Sequence, residues 1–156
     1  MRPPPEDPSA LLKLGQHEYD AGRMERAAAA FQRALDLPDP KWHGPAAFGL
    51  GQVRMRQGNR PAAHAAWMVA VATGDAEYAP RAACFLAVSH QLEGDLAEAR
   101  RAWLRAVEAR NDRYRAIALV GLGGIADREG ETSVALGYWR QATAIILTRA
   151  EDAWWP

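Results

Sequence analysis

The chain has 156 residues, 49% of them hydrophobic, enough for one domain with a buried core. Its 19 basic and 19 acidic side chains cancel, which excludes a protein built around long-range attraction to nucleic acid or an anionic membrane. The one cysteine, Cys84, excludes a disulfide framework or a cysteine zinc site, and no run of about 18 apolar residues exists to span a membrane.

In chain order, residues 1–7 of MRPPPEDPSA read as a flexible tail with no apolar stretch for a signal peptide, so a cytoplasmic protein is expected. Basic residues are arginine apart from Lys13 and Lys41, a usage that points to a GC-rich bacterial genome. Helices are predicted over 8–21 and 24–37, 45–57 and 60–73, 80–93 and 96–109, and 116–129 and 132–148. In the first pair, Leu11, Leu14 and Gly15 recur at helical spacing and form one apolar face. Gly22 ends that helix, because a left-handed C-terminal residue costs least as glycine. Ala27, Phe31 and Ala34 make a single stripe on the second helix, with the Phe31 ring filling the space beside the small residues Gly15 and Ala27.

The pattern then repeats every 36 residues. Phe31 recurs as Trp67, Trp103 and Trp139, and Gly22 as Gly58, Gly94 and Gly130. Leu14 and Gly15 recur as Leu50 and Gly51, Leu86 and Ala87, and Leu122 and Gly123. The linkers repeat as well, placing Trp42, Tyr78 and Tyr114 three residues after Asp39, Asp75 and Asn111. A ring at each corner would pack neighbouring hairpins together. On this reading Trp103 is a core residue, and Arg100, Arg101 and Arg105 form the solvated side of its helix.

The stretch LLKLGQHEYDAGRMERAAAAFQRALDLPDP resembles a tetratricopeptide repeat through Leu14, Gly15, Tyr19, Gly22, Ala27, Phe31 and Ala34. The usual period is 34, the first-helix aromatic is absent from later copies, and the closing proline survives only as Pro38 and Pro40. The resemblance implies an all-α fold, a right-handed α-solenoid of four helix-turn-helix hairpins. One domain would run over 8–148, in repeats of about 8–43, 44–79, 80–115 and 116–148. Residues 149–156 would be a C-terminal extension that caps the stack.

No catalytic constellation emerges. His17, His43, His64 and His90 lie in different hairpins without paired ligand spacing, so no metal is expected. The glycine-rich GLGG at 121–124 falls inside a helix and follows no strand, which excludes a phosphate-cradling loop. Cys84 reads as a buried, inert thiol, and the carboxylates as solvated. Residues 100–115 hold six arginines, but Glu98, Glu108 and Asp112 interleave with them. No enzyme, cofactor, nucleic acid or membrane partner is expected.

What remains is the surface that stacked first helices create. Leu12, Lys13, Gln16 and Tyr19 form one stripe, followed by Phe48, Gln52 and Met55, by Phe85 and Val88, and by Val120. Cys84, Gly49, Gly121 and Gly124 fall on the same stripes. So apolar a lining suits a concave groove for an apolar or helical segment of a protein partner; the alternative for these residues is that they support hairpin packing. The rival function is a self-assembling module. The fourth hairpin has no successor, so Val134, Tyr138, Ile145 and Ile146 would leave an apolar stripe in water. The last helix would run on toward Trp154 and Trp155, and these residues would form a tail cap or a homodimer interface.

Overall fold

The computed structural model describes residues 7–153, with side chains described for 7–149. Eight α-helices are found among these residues and no strand. They are α1 (Pro8–Asp20), α2 (Met24–Asp36), α3 (His43–Arg56), α4 (Arg60–Ala72), α5 (Tyr78–Glu93), α6 (Leu96–Val107), α7 (Asp112–Arg128) and α8 (Thr132–Ala153). The expected tail lies outside the described residues up to residue 6, while Asp7 caps α1 by accepting from the Ser9 N–H at 2.9 Å.

Each hairpin turns in the same way. Gly22 has φ of 77°, a conformation that costs a side chain at Cβ, and Gly58, Gly94 and Gly130 share it. The N–H of Arg23 donates to the Glu18 carbonyl at 2.8 Å and that of Gly22 to Tyr19 at 3.0 Å, satisfying the last carbonyls of α1. The bond that spans five residues recurs from the N–H of Asn59 to the Arg54 carbonyl, of Asp95 to His90 and of Glu131 to Ala126, each at 2.9 Å. The repeat read from the sequence is thus a repeat of backbone hydrogen bonds.

The chain falls into two compact units, Met1–Ala82 and Ala83–Pro156, whose boundary lies within α5. In the first, α2 packs on α1 and α3, and α3 on α4. Its core gathers Ala27, Ala28 and Phe31 of α2 with Leu50 and Val53 of α3 and Ala66 of α4. Phe31 lies between two glycines: a Cβ on Gly15 would come within 2.7 Å of its ring, and one on Gly49 within 2.5 Å. Trp67 covers Gly51 in the same manner.

In the second unit α7 packs on α6 and α8. Trp103 covers Gly121, and Trp139 covers Gly123. Trp103 is buried as expected, and its indole N–H donates to Gln91 Oε1 at 2.9 Å.

Three expectations need correction. Leu14 is 43% exposed, whereas its counterpart Leu50 is buried against α2; no described hairpin precedes α1 to cover Leu14. Gly49 and Gly121 are not open surface, because the rings of the preceding hairpins lie on them. The helices α3, α5 and α7 begin two to four residues early, at His43, Tyr78 and Asp112. Asp75 explains α5: its carboxylate accepts from the N–H groups of Glu77 and Tyr78, at 2.9 and 2.7 Å, and draws the corner ring into the first turn.

Candidate partner-binding site

In the first unit, α1, α3 and the start of α5 border a depression of about 270 Å³. Positions three and four apart share one face of a helix, so α1 supplies Leu12, Lys13 and Gln16, and α3 supplies Pro45, Phe48, Gly49 and Gln52. Tyr78 and Arg81 of α5 close the side. Leu12, Lys13, Gln16, Phe48 and Gln52 therefore do come together as one surface. Tyr19 and Met55 do not line it. Tyr19 packs on the core, with the Arg56 guanidinium 4.8 Å from its ring centre.

Phe48 forms the floor instead of projecting as a groove residue. It is only 3% exposed, with the Tyr78 ring tilted against it at 5.9 Å and the Arg81 guanidinium 4.5 Å from its centre. The rim is polar: Lys13 is exposed, and Gln16 donates to Asp20 Oδ1 at 2.8 Å. Two cations, Lys13 and Arg81, thus stand beside an apolar floor. Sequence reading missed Arg81, although it lies one helical turn before Cys84 and Phe85 on the same stripe of α5.

In the second unit, Phe85 and Val88 are exposed on α5, at 38% and 46%. Val120 of α7 meets Ile145 and Ile146 of α8 in a second depression of about 350 Å³. Tyr138 is half-buried and lies outside it. Trp154 and Trp155 fall outside the described residues.

Three ionisable groups depart from their ordinary state among the described residues: Cys84, Glu18 and Arg23. Cys84 is buried, and desolvation pushes its thiol up to about 12. Glu18 is also buried, against the expectation of a solvated carboxylate. Arg23 donates to it twice, through Nε and through Nη2 at 3.0 Å. That hydrogen bonding holds the Glu18 carboxyl below its usual range, against the opposing effect of desolvation. The pair joins the end of α1 to the start of α2 and is structural.

A family model for the tetratricopeptide repeat matches residues 1–41. Among solved structures, one of MamA aligns with a TM-score of 0.75 at 21% identity, over 95% of this chain and 83% of that one. BtubC (BKLC) from P. vanneervenii aligns at 0.71 and 17% identity, over 98% and 69%. A further MamA structure aligns at 0.58 and 16%, over 92% and 94%. No curated protein matches by sequence. Identities this low carry the fold alone.

Proposed function

We propose that this chain, whose residues 1–41 match the tetratricopeptide-repeat family model, is a non-catalytic cytoplasmic scaffold whose first unit binds a segment of a protein partner. Stacked helical repeats present extended binding faces, and protein interaction is their general use. No described helix is long and apolar enough to cross a membrane. The observation that carries the finer reading is the depression between α1, α3 and α5, with its apolar floor and two cations at the rim.

The ligand is an apolar side chain in a peptide, helical or extended, with a carboxylate close by in sequence. The apolar group would enter between Leu12 and Phe48, and the carboxylate would face Lys13 and Arg81. Gln52 supplies an amide for the peptide backbone. This reading retains an apolar ligand, and the cations add a preference for acidic segments.

Fluorescence anisotropy on paired peptides, one apolar residue flanked by Glu or by Lys, tests this reading. The acidic series should bind more tightly, and its affinity should fall as salt rises. Lys13→Glu with Arg81→Glu should weaken it at least tenfold while leaving helicity unchanged. Equal binding of both series, or indifference to the charge reversal, would overturn the reading. Phe48 is a poor probe because its loss would disturb the core.

A further inference from the structure

The depression between α7 and α8 has an apolar floor open to solvent. Ile117, Val120 and Ile146 are 41%, 50% and 54% exposed, and Ile145 lies beside them. Arg113 and Arg149 stand at the rim with Asp112, whose carboxylate is engaged by Arg115 at 3.1 Å. The charge left to a ligand at this rim is positive. Contiguous exposed apolar surface rimmed by charge is the usual form of an association site.

The sequence holds a segment of complementary chemistry. Residues 151–155 read EDAWW, two carboxylates followed within three residues by two indoles. The described part of α8 overshoots the groove of its own copy. Helix α8 has 22 residues against 17 in α7, and Arg149 already borders the depression together with Asp112, the first residue of α7. Ala153 lies about 10 Å beyond Ile146 along the axis, at about 1.5 Å per residue. Helix α8 therefore runs on beyond its own groove before residue 154 is reached.

We propose that the α7–α8 groove binds residues 151–155 of a second copy of this chain, and that the exchange is reciprocal, giving an isologous dimer. The indoles fill the Ile117–Val120–Ile145–Ile146 floor, and the carboxylates meet Arg113 and Arg149. Four indoles of about 150–250 Å² each, with a similar area of groove wall beneath them, reach the roughly 1,200–2,000 Å² typical of a stable interface. The proposal is independent of the peptide site in the first unit, since neither set of residues includes the other.

Sedimentation velocity on the full chain over a hundredfold concentration range reads the result directly. The wild type should pass from monomer to dimer. Ile146→Glu, at an exposed position, and Trp154→Ala with Trp155→Ala should each weaken the dimer at least tenfold with unchanged far-UV circular dichroism. Val120→Lys replaces the first variant if Ile146→Glu fails to fold. Mixed in equal amounts, the groove variant and the tail variant should form a heterodimer, since that pairing retains one intact groove and one intact tail. A wild type that stays monomeric, as a tail folded onto its own groove or a groove kept for another protein would give, overturns the proposal. So does a dimer that survives the tail substitutions, or a mixture of folded variants that stays monomeric.

Discussion

Gly121 and Gly124 lie three residues apart on α7 and should respond to alanine in opposite directions. A Cβ on Gly121 would come within 2.7 Å of Trp103 Cδ2 and Cζ2, whereas one on Gly124 would meet nothing within 4 Å. Both substitutions gain about 1 kcal/mol of helix propensity. At Gly124 nothing offsets the gain, so Gly124→Ala should stabilise by about 1 kcal/mol and raise Tm by about 2–4 °C in a chain of this size. At Gly121 the neighbour is a rigid indole held by its bond to Gln91, so the ring cannot yield cheaply. Overpacking of this kind costs about 1–3 kcal/mol, which turns the gain at Gly121 into a net change between about zero and 2 kcal/mol of destabilisation. The two variants should therefore differ by about 1–3 kcal/mol in urea unfolding followed by far-UV circular dichroism, with m unchanged. Equal stabilisation of both would show that Trp103 is not seated on Gly121 and would refute the hairpin register.

Leu14→Ala should change stability by less than about 1 kcal/mol and Leu50→Ala by about 2–5 kcal/mol, although the two positions are equivalent in the repeat; equal losses would mean that α1 is covered. Phe48→Ser should cost about 3–5 kcal/mol and lower the melting temperature, although the sequence places Phe48 on the groove stripe. Because Arg23 depresses the Glu18 carboxyl, its stabilisation is complete above the ordinary value of 4.5 and is lost as pH falls through the lower folded value. The gap between wild type and Glu18→Gln in denaturant titrations should narrow over that acid range, and a gap independent of pH would remove the ion pair as its cause. With its thiol near 12, native Cys84 should resist disulfide reagents at neutral pH and react once urea exposes it; rapid native labelling would refute the burial.

The fold was legible because each hairpin writes its turn in one residue type and its core in another. Gly22 and its counterparts mark where α1, α3, α5 and α7 end, and the ring at Phe31, Trp67, Trp103 and Trp139 marks the second helix. Helix starts were less legible at α5 and α7, where a corner aromatic looked like linker but lies in the first helical turn. The site was half legible for a related reason. Leu12, Phe48, Cys84 and Val120 occupy the same position in successive copies, yet Phe48 and Cys84 are buried and Val120 is 50% exposed. Periodicity gives a side chain its direction, but its cover comes from whatever the next copy places over it. Phe48 has Tyr78 and Arg81. Val120 belongs to the fourth copy and has no such pair among the described residues.

Gly49 shows how closely the packing and the candidate site depend on one another. It receives the Phe31 ring of the preceding hairpin and also lines the depression, one residue from Phe48. Gly51, two residues on, receives Trp67 of its own hairpin. With two glycines on one helix, α3 can lie against two rings at once, and α7 repeats the device with Gly121 and Gly123. The close approach of α3 to Phe31 is what sets Phe48 and Gln52 opposite Leu12 and Gln16. A side chain at position 49 would push α3 outward, so it would widen the depression as well as strain the core. Variation at Gly49 should then alter peptide affinity and stability together, whereas Lys13, which stands exposed at the rim, can be varied for affinity alone.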